Sequence, residues 1–279
     1  MKAFLLTDIP VWVRPLERAL EALGVEVSSG SDPERALAAD VIVNRLSTQL
    51  LQLDHGQIAA IREALRRWEQ NGRLLVNGSK CFEIGLSKLK QHELFEACGV
   101  ATPQTEEAIA GGRALPGRKV LLKPSAGGFG KGIQILGPDE NAPGDLDGSA
   151  GWIEQEMVEP VDGKVHRIEI VGEQILYDAA TPLLSGDFDY CLANVGDTSV
   201  LTEAASLDHK TVEKVIQIAR AGSMQLGSLE YFVLGDGRPC FFDFNPVSSL
   251  HPKAQVLLGH DPMALTASFI ADRIGIRLP

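Results

Sequence analysis

Short apolar segments alternate with amphipathic helical segments over the first hundred residues, and this alternation limits the possible folds more than any other feature of the sequence. The apolar segments, each typical of a buried strand, lie at 2–6, 25–27, 41–43 and 74–76. Helical patterns lie at 12–23, 32–39, 58–72 and 87–98. Strands separated by helices predict a parallel sheet with helices packed over it.

The pattern changes around Thr102-Pro103, and a boundary is expected just before it, at residue 99. Strands are predicted at 119–124, 152–157, 165–171 and 174–179, and an amphipathic helix at 208–226. The chain is then expected to end in a hairpin of 229–234 and 240–245, turning at Asp236-Gly237. Strands and helices alternate less regularly here, so the second half is predicted to be α+β, following an α/β first part.

Composition excludes several classes of function. The hydrophobic fraction of 44% is ordinary for a globular protein, while the formal net charge of −11 opposes binding to nucleic acids or membrane surfaces. No apolar run approaches the ~18 residues of a membrane helix, and the apolar residues before Asp8 are too few for a signal peptide. We therefore expect a cytoplasmic protein that binds neither nucleic acid nor membrane. Its four cysteines lack metal-ligand spacing and are expected to be reduced thiols.

A glycine-rich segment is the strongest local signal. Lys123 ends a predicted strand, and Gly127, Gly128, Gly130 and Gly132 follow it. Glycines let backbone N–H groups converge on an anion, and nearby lysines add positive charge, so the segment predicts phosphate binding. It is not a Walker P-loop, since a glycine rather than Ser or Thr follows the Gly-Lys pair. The alternative is a mobile hairpin tip with lysines placed by chance.

The C-terminal hairpin predicts a metal site. Asp243 and Asn245 lie two residues apart on a strand, so their side chains share one face. A two-residue turn at Asp236-Gly237 places Glu230 directly opposite Asp243, and two facing carboxylates repel unless a cation bridges them. Oxygen ligands of this kind suit Mg²⁺. A turn one residue longer would put Glu230 on the other face. The alternative is a solvated sheet face, against which the aromatic residues flanking these positions argue.

These segments, together with the helix start at Ser87-Lys88 and the acidic strand at 152–157, resemble the motifs of the ATP-grasp superfamily and follow one another in the same order along the chain. The matching segments are Ser87-Lys88, the linker 99–105, Lys123-Pro124 with the glycine loop, 155–158 as the adenine hinge, 163–167, and 243–245 as the terminal metal motif. The resemblance covers nearly the whole chain from Asp40 onward. Among subfamilies, the chain looks most similar to ligases that add glutamate to ribosomal protein or to amino-acid carrier proteins.

The resemblance implies three parts: an N-terminal parallel-sheet pre-ATP-grasp domain at 1–99, followed by a two-subdomain ATP-grasp fold. The small subdomain with the glycine-rich lid would occupy 100–157, and the C-terminal subdomain with the metal site 158–279. It also implies ATP and Mg²⁺, a carboxylate–amine ligase acting through an acyl phosphate, and an amino acid or peptide as substrate. Related ligases are commonly dimers, so a homodimer is a further expectation.

Carried over by position, the family's functional residues fall into four groups. The nucleotide would be bound by Lys88, Lys123, Ser125, Gly127, Gly128, Phe129, Gly130, Gly132, Glu154, Gln155, Glu156 and Met157. Lys123 and Arg167 would act on the transferred phosphoryl group, and Glu230, Asp243 and Asn245 would hold the metal. Asn194 and Ser248 are candidates for the acceptor pocket. Arg45 follows a predicted parallel strand, where open α/β sheets bind ligands, so it is a candidate for a substrate carboxylate or a structural salt bridge.

Three positions depart from the family pattern. Val165 replaces an acid that binds ribose, so that either Glu156 or Asp162 substitutes for it or the ribose is bound loosely. In the metal motif, Asp243 stands in place of the usual Glu and Glu230 in place of the usual Asp, which leaves the number and geometry of the metal ions open. Thr181 stands where related ligases often have an arginine, so the acceptor site is an open question. Two other functions stay open: a small-metabolite kinase on the same fold, and an ATP-binding regulatory protein without turnover.

Overall fold

The computed structural model describes residues 1–47, 55–128, 130–146, 151–183, 199–251 and 253–276. Its first sheet is parallel and has the strand order β2-β1-β3-β4. The strands are β1 (Lys2–Leu6), β2 (Glu26–Gly30), β3 (Val41–Asn44) and β4 (Leu74–Val76). The intervening helices are α1 (Pro10–Ala22), the 3₁₀ helix Pro33–Ala38 and α2 (His55–Gln70). The predicted parallel sheet is confirmed.

A small antiparallel sheet follows two helices, α3 (Ser79–Gly85) and α4 (Lys88–Ala97). Its strands are β5 (Thr105–Glu107), β6 (Val120–Pro124), β7 (Gln134–Leu136) and β8 (Trp152–Glu156), in the order β5-β8-β6-β7. The sequence pattern predicted β6, β8 and α4. It did not predict α3 or the three-residue strands β5 and β7, which are too short to show a period of two.

The third sheet is antiparallel, with the order β11-β10-β9-β12-β13. Its strands are β9 (Lys164–Val171), β10 (Gln174–Pro182), β11 (Val200–Glu203), β12 (Leu226–Val233) and β13 (Pro239–Asn245). Between β11 and β12 lie the 3₁₀ helix Ala204–Ser206 and α5 (His209–Ala221). The helix predicted to reach residue 226 ends five residues earlier, because Ser223 adopts a left-handed conformation and Leu226 already begins β12.

The hairpin does not end the fold, so that expectation is wrong. Two helices, α6 (Ala254–Leu258) and α7 (Pro262–Arg273), follow β13. α7 packs against α1 at the other end of the chain. No helix among the described residues combines the length and apolar character that crossing a membrane requires.

The β12–β13 hairpin has the predicted register at Glu230, but its turn differs from the predicted one. The prediction of a two-residue turn is wrong, because the Leu234 N–H donates to the Arg238 carbonyl at 3.0 Å and closes a three-residue loop. This longer loop pairs Tyr231 with Phe241, but a β-bulge then shifts the register back by one residue. As a result, Glu230 lies opposite Asp243, as the sequence predicted.

Two hydrophobic clusters contain residues from both sides of the predicted domain boundary at residue 99. One cluster joins Leu5 and Val43 of the first sheet to Tyr177 and Leu226 of the third. A second cluster places Phe95 of α4 on the opposite face of the third sheet. The division into 1–99, 100–157 and 158–279 therefore stays a proposal about the three sheets.

Asn77 joins the first sheet to the third. It is fully buried and has a positive φ of 61°, a conformation that Asn tolerates better than most residues. Its Nδ2 donates to the carbonyls of Leu226 (2.6 Å) and Pro246 (2.8 Å). Its Oδ1 accepts from the N–H groups of Gln225 (2.9 Å) and Leu226 (3.1 Å). One side chain thus fixes the start of β12 and the chain after β13 relative to β4.

We expect Asn77→Asp to lower the free energy of unfolding by about 3 kcal/mol, because a carboxylate oxygen would replace a donor and face two buried carbonyls. Urea unfolding measures the change. Asn71→Asp, on an exposed turn, is the matched control and should stay within about 0.5 kcal/mol of wild type. Equal stability of the two variants would contradict the role of Asn77.

Candidate active site

A cleft of about 310 Å³ lies between the small sheet and the third sheet. Its apolar lining residues include Leu121, Ile133, Met157, Val158, Phe232 and Phe242. The rings of Phe232 and Phe242 stack with centroids 4.3 Å apart, Phe242 being the residue that the bulge leaves without a partner on β12. Its charged lining residues are Lys88, Lys123, Lys131, Arg167, Glu230, Asp243 and Glu156, whose side chain pairs with Arg118.

Paired charges form the centre of the cleft. Lys88, at the first position of α4, forms a salt bridge with Asp243 on β13. Arg167 on β9 donates to Glu230 Oε1 at 2.9 Å, and Asn245 Nδ2 lies 3.4 Å from the same oxygen. Two carboxylates on neighbouring strands are thus each held by a cation of the protein.

The two carboxylates differ in pKa. Burial raises the pKa of Glu230 to about 7, and the charge of Asp243 adds to this effect while Arg167 opposes it. Burial also favours the protonated form of Asp243, but the ammonium groups of Lys88 and Lys123 outweigh it and lower the pKa of that carboxyl. Asp243 therefore stays ionised, while Glu230 gains or loses its proton near neutrality.

Lys123 is buried at the end of β6, and its Nζ donates to Gln155 Oε1 at 2.7 Å. The Gln155 amide in turn donates to Thr105 Oγ1 at 2.9 Å. Burial lowers the pKa of Lys123 to about 7, and the positive charge of Lys88 lowers it further against the opposing effect of Asp243 and Glu230. A buried ammonium held by a neutral partner would gain most from an anionic ligand.

The glycine loop borders the cleft through Gly127, Gly128 and Gly130, while Phe129 lies outside the described residues. Ser125 and Gly132 do not line the cleft. The Ser125 carbonyl accepts from the Lys88 N–H at 2.9 Å, which ties the loop to the start of α4. Gly132 has a φ of 75°, and a Cβ there would lie 3.2 Å from the Pro124 ring, so its role is conformational.

The side chains of the segment predicted to bind adenine point to both faces of its sheet. Gln155, Glu156 and Met157 line the cleft, but Glu154 does not. Because side chains alternate along β8, Glu154 points to the opposite face, where it is fully buried and accepts from the N–H groups of Ala114 (3.0 Å) and Leu115 (2.9 Å). Its predicted place in the adenine pocket is therefore corrected: the side chain anchors the 114–115 loop.

The predicted metal ligands have the chemistry of a Mg²⁺ site. Glu230, Asp243 and Asn245 offer carboxylate and amide oxygens, which hard divalent cations prefer. Within the described residues, no group of three His, Cys, Asp or Glu forms a metal cluster, so this set depends on the amide of Asn245. The two facing carboxylates repel each other, and this repulsion adds to the effect of burial in raising the pKa of Glu230. A divalent cation bound between them would relieve the repulsion.

A second cavity of about 370 Å³ adjoins the cleft, and Trp12 and Ser249 line both. The second cavity contains Arg45 and Ser248, two of the predicted substrate residues. The third, Asn194, lies outside the described residues. Of the two candidates for the ribose, Glu156 borders the cleft but its carboxylate pairs with Arg118, and Asp162 binds His166 at 2.8 Å and does not line the cleft.

Sequence reasoning missed two polar residues that organise the site. Glu169 follows Arg167 by two residues on β9 and accepts from its Nε at 3.0 Å, so the period of a strand could have indicated it. Gln91 accepts the N–H of Phe244 at 3.2 Å and thus links α4 to β13. No signal in the sequence identifies Gln91, because the contact joins segments 153 residues apart.

Comparison with known proteins gives the fold. No protein-family model matches the sequence, and no curated relative matches it. Among solved structures, D-cycloserine synthetase DcsG is 18% identical with a TM-score of 0.70, covering 98% of this chain and 100% of its own. D-alanine–D-alanine ligase from Bacillus anthracis is 15% identical with a TM-score of 0.67, covering 98% and 96%. The ATP-grasp ligase PsnB, complexed with minimal precursor, Mg and ADP, is 15% identical with a TM-score of 0.64, covering 97% and 96%.

These likenesses extend over the whole chain and confirm the predicted fold class. Identities between 15 and 18% do not separate subfamilies, so the similarity to glutamate-adding ligases stays a prediction.

We expect Glu154→Gln to destabilise the protein by about 3 kcal/mol, because one of two buried N–H donors would face an amide NH₂ and Arg113, 3.3 Å away, would lose its counter-charge. Chemical denaturation measures the loss. Glu173→Gln, which breaks only an exposed pair with Arg220, should leave the free energy of unfolding nearly unchanged. A wild-type stability for Glu154→Gln would show that the carboxylate is not an anchor.

Proposed function

We propose that this chain, which has the ATP-grasp fold, is an ATP-dependent ligase that joins a carboxylate to an amine through an acyl phosphate. The observation that carries the proposal is the convergence of Lys88 and Lys123 with Glu230 and Asp243 in one cleft. Ammonium groups suit a polyphosphate, and the carboxylates suit the cation that accompanies it.

The cleft offers apolar and charged lining residues for the two ends of ATP. The stacked Phe232 and Phe242 and the apolar residues suit the adenine ring, and the backbone of 156–158 is a source of hydrogen bonds to it. Lys88, Lys123 and the backbone N–H groups of the glycine loop would hold the triphosphate. Lys123 would be drawn to its charged form by the phosphates, which would replace the neutral Gln155 as its main partner.

Glu230, Asp243 and Asn245 would hold Mg²⁺, which when bound neutralises phosphate charge. The two carboxylates are ready for a cation because each is already oriented by the protein, Asp243 by Lys88 and Glu230 by Arg167. Release of these carboxylates to a metal would free the two cationic side chains for phosphate oxygens.

The chemistry needs no nucleophile from the protein. A substrate carboxylate would attack the γ-phosphate and release ADP, and an amine would then displace phosphate from the acyl phosphate. Arg167, held by Glu169 and Glu230, is placed to stabilise charge on the transferred group. Positioning and charge neutralisation by Lys88, Lys123 and Arg167 would supply most of the rate enhancement.

The second cavity favours a ligase over a kinase. A kinase needs one acceptor beside the nucleotide, whereas a ligase must hold a carboxylate and an amine together. The adjoining 370 Å³ cavity gives room for that further substrate. The structural relatives also include a D-alanine–D-alanine ligase and the ligase PsnB, which support the same choice.

Incubation with ATP, Mg²⁺, hydroxylamine and pooled L- and D-amino acids should release ADP and form a hydroxamate, because hydroxylamine intercepts acyl phosphates. Colorimetric detection of the hydroxamate is the measurement. A stable phosphorylated product without a hydroxamate would instead indicate a kinase. Nucleotide binding without ADP release from any pool would indicate a regulatory protein.

Lys88→Met and Lys123→Met should each lower the catalytic efficiency of ADP release by about 100-fold or more. Each variant lacks one positive charge that would stabilise the transferred phosphoryl group. Lys119→Met, an exposed lysine just before β6, is the matched control and should keep wild-type turnover. Retained turnover in a folded Lys123→Met variant would refute its role.

Metal-free ADP should bind more weakly as pH rises from about 6 to about 8. Over this range Lys123 loses its positive charge and Glu230 gains a negative one, since both have a pKa of about 7. We expect the dissociation constant from calorimetry to rise roughly tenfold or more. Lys123→Arg, which stays charged, should reduce this pH dependence, whereas Lys119→Arg should not. A wild-type dissociation constant that does not change with pH would contradict the assignment.

A further inference from the structure

The second cavity contains two opposite charges, Arg45 and Glu169, and Glu169 also holds Arg167 of the cleft. It lies beside the cleft, where α1 and α7 approach β9 and the segment after β13. Its volume of about 370 Å³ is at the lower end of the ~300–1,000 Å³ of small-molecule sites. The occupant is therefore small.

Arg45 is a cation that the protein leaves largely without partners. It lines the cavity, and burial lowers its pKa to about 10 against the opposing charge of Glu169. Of its five N–H donors, one has an acceptor among the residues that the structure describes, the Ser248 carbonyl at 2.7 Å. No carboxylate within those residues lies within ion-pair distance of it, so the structural salt bridge considered from the sequence is not formed there. A planar cation in this state is suited to a carboxylate ligand.

Glu169 supplies the opposite charge. It is 1% exposed and lines the same cavity. Its Oε1 accepts from Arg167 Nε and from the Ser248 hydroxyl, while Oε2 has no hydrogen-bond donor among the described residues. The second oxygen is thus available to a donor in the cavity, such as an ammonium group.

Ser248 contacts both charged groups. Its carbonyl accepts from Arg45 and its hydroxyl donates to Glu169, and the charge of Glu169 favours the charged form of Arg45, so the two opposite charges interact beside this residue. A ligand that meets both needs a carboxylate and an ammonium group close together, as an α-amino acid has them. Arg167 also donates to the Ser248 hydroxyl at 2.8 Å, which places Glu169 on the side nearer to the nucleotide cleft.

Apolar side chains outnumber polar ones in the remaining walls of the cavity. The apolar ones include Val11 and Leu16 of α1, Leu226 of β12, Leu250, and Pro262 and Met263 of α7, and the polar ones are Ser249, His251, Gln255, Asp261 and Thr266. The apolar part of this surface favours an aliphatic side chain.

We propose that the second cavity binds a free α-amino acid with an aliphatic side chain, its carboxylate on Arg45 and its ammonium group on Glu169. This assignment rests on the proposed ligase function and deepens it. The bound amino acid directs its nitrogen toward the cleft and holds its carboxylate away from the triphosphate. It is therefore the substrate that supplies the amine, and the activated carboxylate belongs to a different molecule.

Calorimetry with the wild-type protein, saturated with ADP and Mg²⁺, tests the assignment. The probes are L- and D-leucine, leucinamide, which lacks the carboxylate, and 4-methylpentanoate, which lacks the amine. We expect one leucine enantiomer to bind at least tenfold more tightly than both truncated compounds. No binding of either enantiomer, or equal binding of 4-methylpentanoate, would overturn the proposal.

Two variants assign the charges individually. Arg45→Gln should weaken leucine at least tenfold and leave leucinamide unchanged, while Glu169→Gln should weaken leucine and leave 4-methylpentanoate unchanged. A general structural defect would instead weaken all probes together. Arg18→Gln, exposed on α1, is the matched control. If a variant fails to fold, the wild-type comparison of the three probe types still decides the matter.

The two proposals fail in different ways. ADP that does not bind the wild-type protein would refute the nucleotide site and the ligase function together. Normal ADP binding and hydroxamate formation without leucine binding would refute the amino-acid cavity alone.

Discussion

Two carboxylates facing each other on neighbouring strands determine where the protein must place positive charge. Glu230 and Asp243 are paired in the β12–β13 register, and their mutual repulsion must be balanced by positive charge. The protein supplies that charge from two different segments, Lys88 at the start of α4 and Arg167 on β9. A metal–polyphosphate complex carries both kinds of charge, so it can take the place of the ion pairs between these two carboxylates and their cationic partners.

The surrounding fold keeps this arrangement in place. Gln91 binds the backbone of β13 from α4, so that the helix carrying Lys88 keeps a fixed distance from the strand carrying Asp243. Asn77 joins the end of β4 to β12 and to the chain after β13, which brings the first sheet and Arg45 against the same region. The cleft and the second cavity therefore share walls, and Ser248 contacts the arginines of both.

The sequence predicted the parallel sheet, the glycine loop and the facing acidic pair, because these follow from local periodicity and from chemistry at close spacing. The hairpin shows the limit: its turn is one residue longer than predicted, and the bulge at Phe242 that restores the register has no signature in the sequence. Glu154 was predicted to line the cleft because it is adjacent in sequence to Gln155 and Glu156. Side chains alternate along β8, however, and that of Glu154 points to the opposite face of the sheet. The contacts of Glu169, Gln91 and α7 join distant segments, which periodicity does not reveal.

We propose that one cleft holds the nucleotide between the ammonium groups of Lys88 and Lys123 and a metal on Glu230 and Asp243. A crystal structure of the complex with ADP and Mg²⁺ tests this arrangement directly. We expect the β-phosphate within hydrogen-bond distance of both lysines, the metal bound by oxygens of residues 230, 243 and 245, and adenine beside residues 156–158. A nucleotide bound elsewhere, or a metal held by other residues, would contradict it.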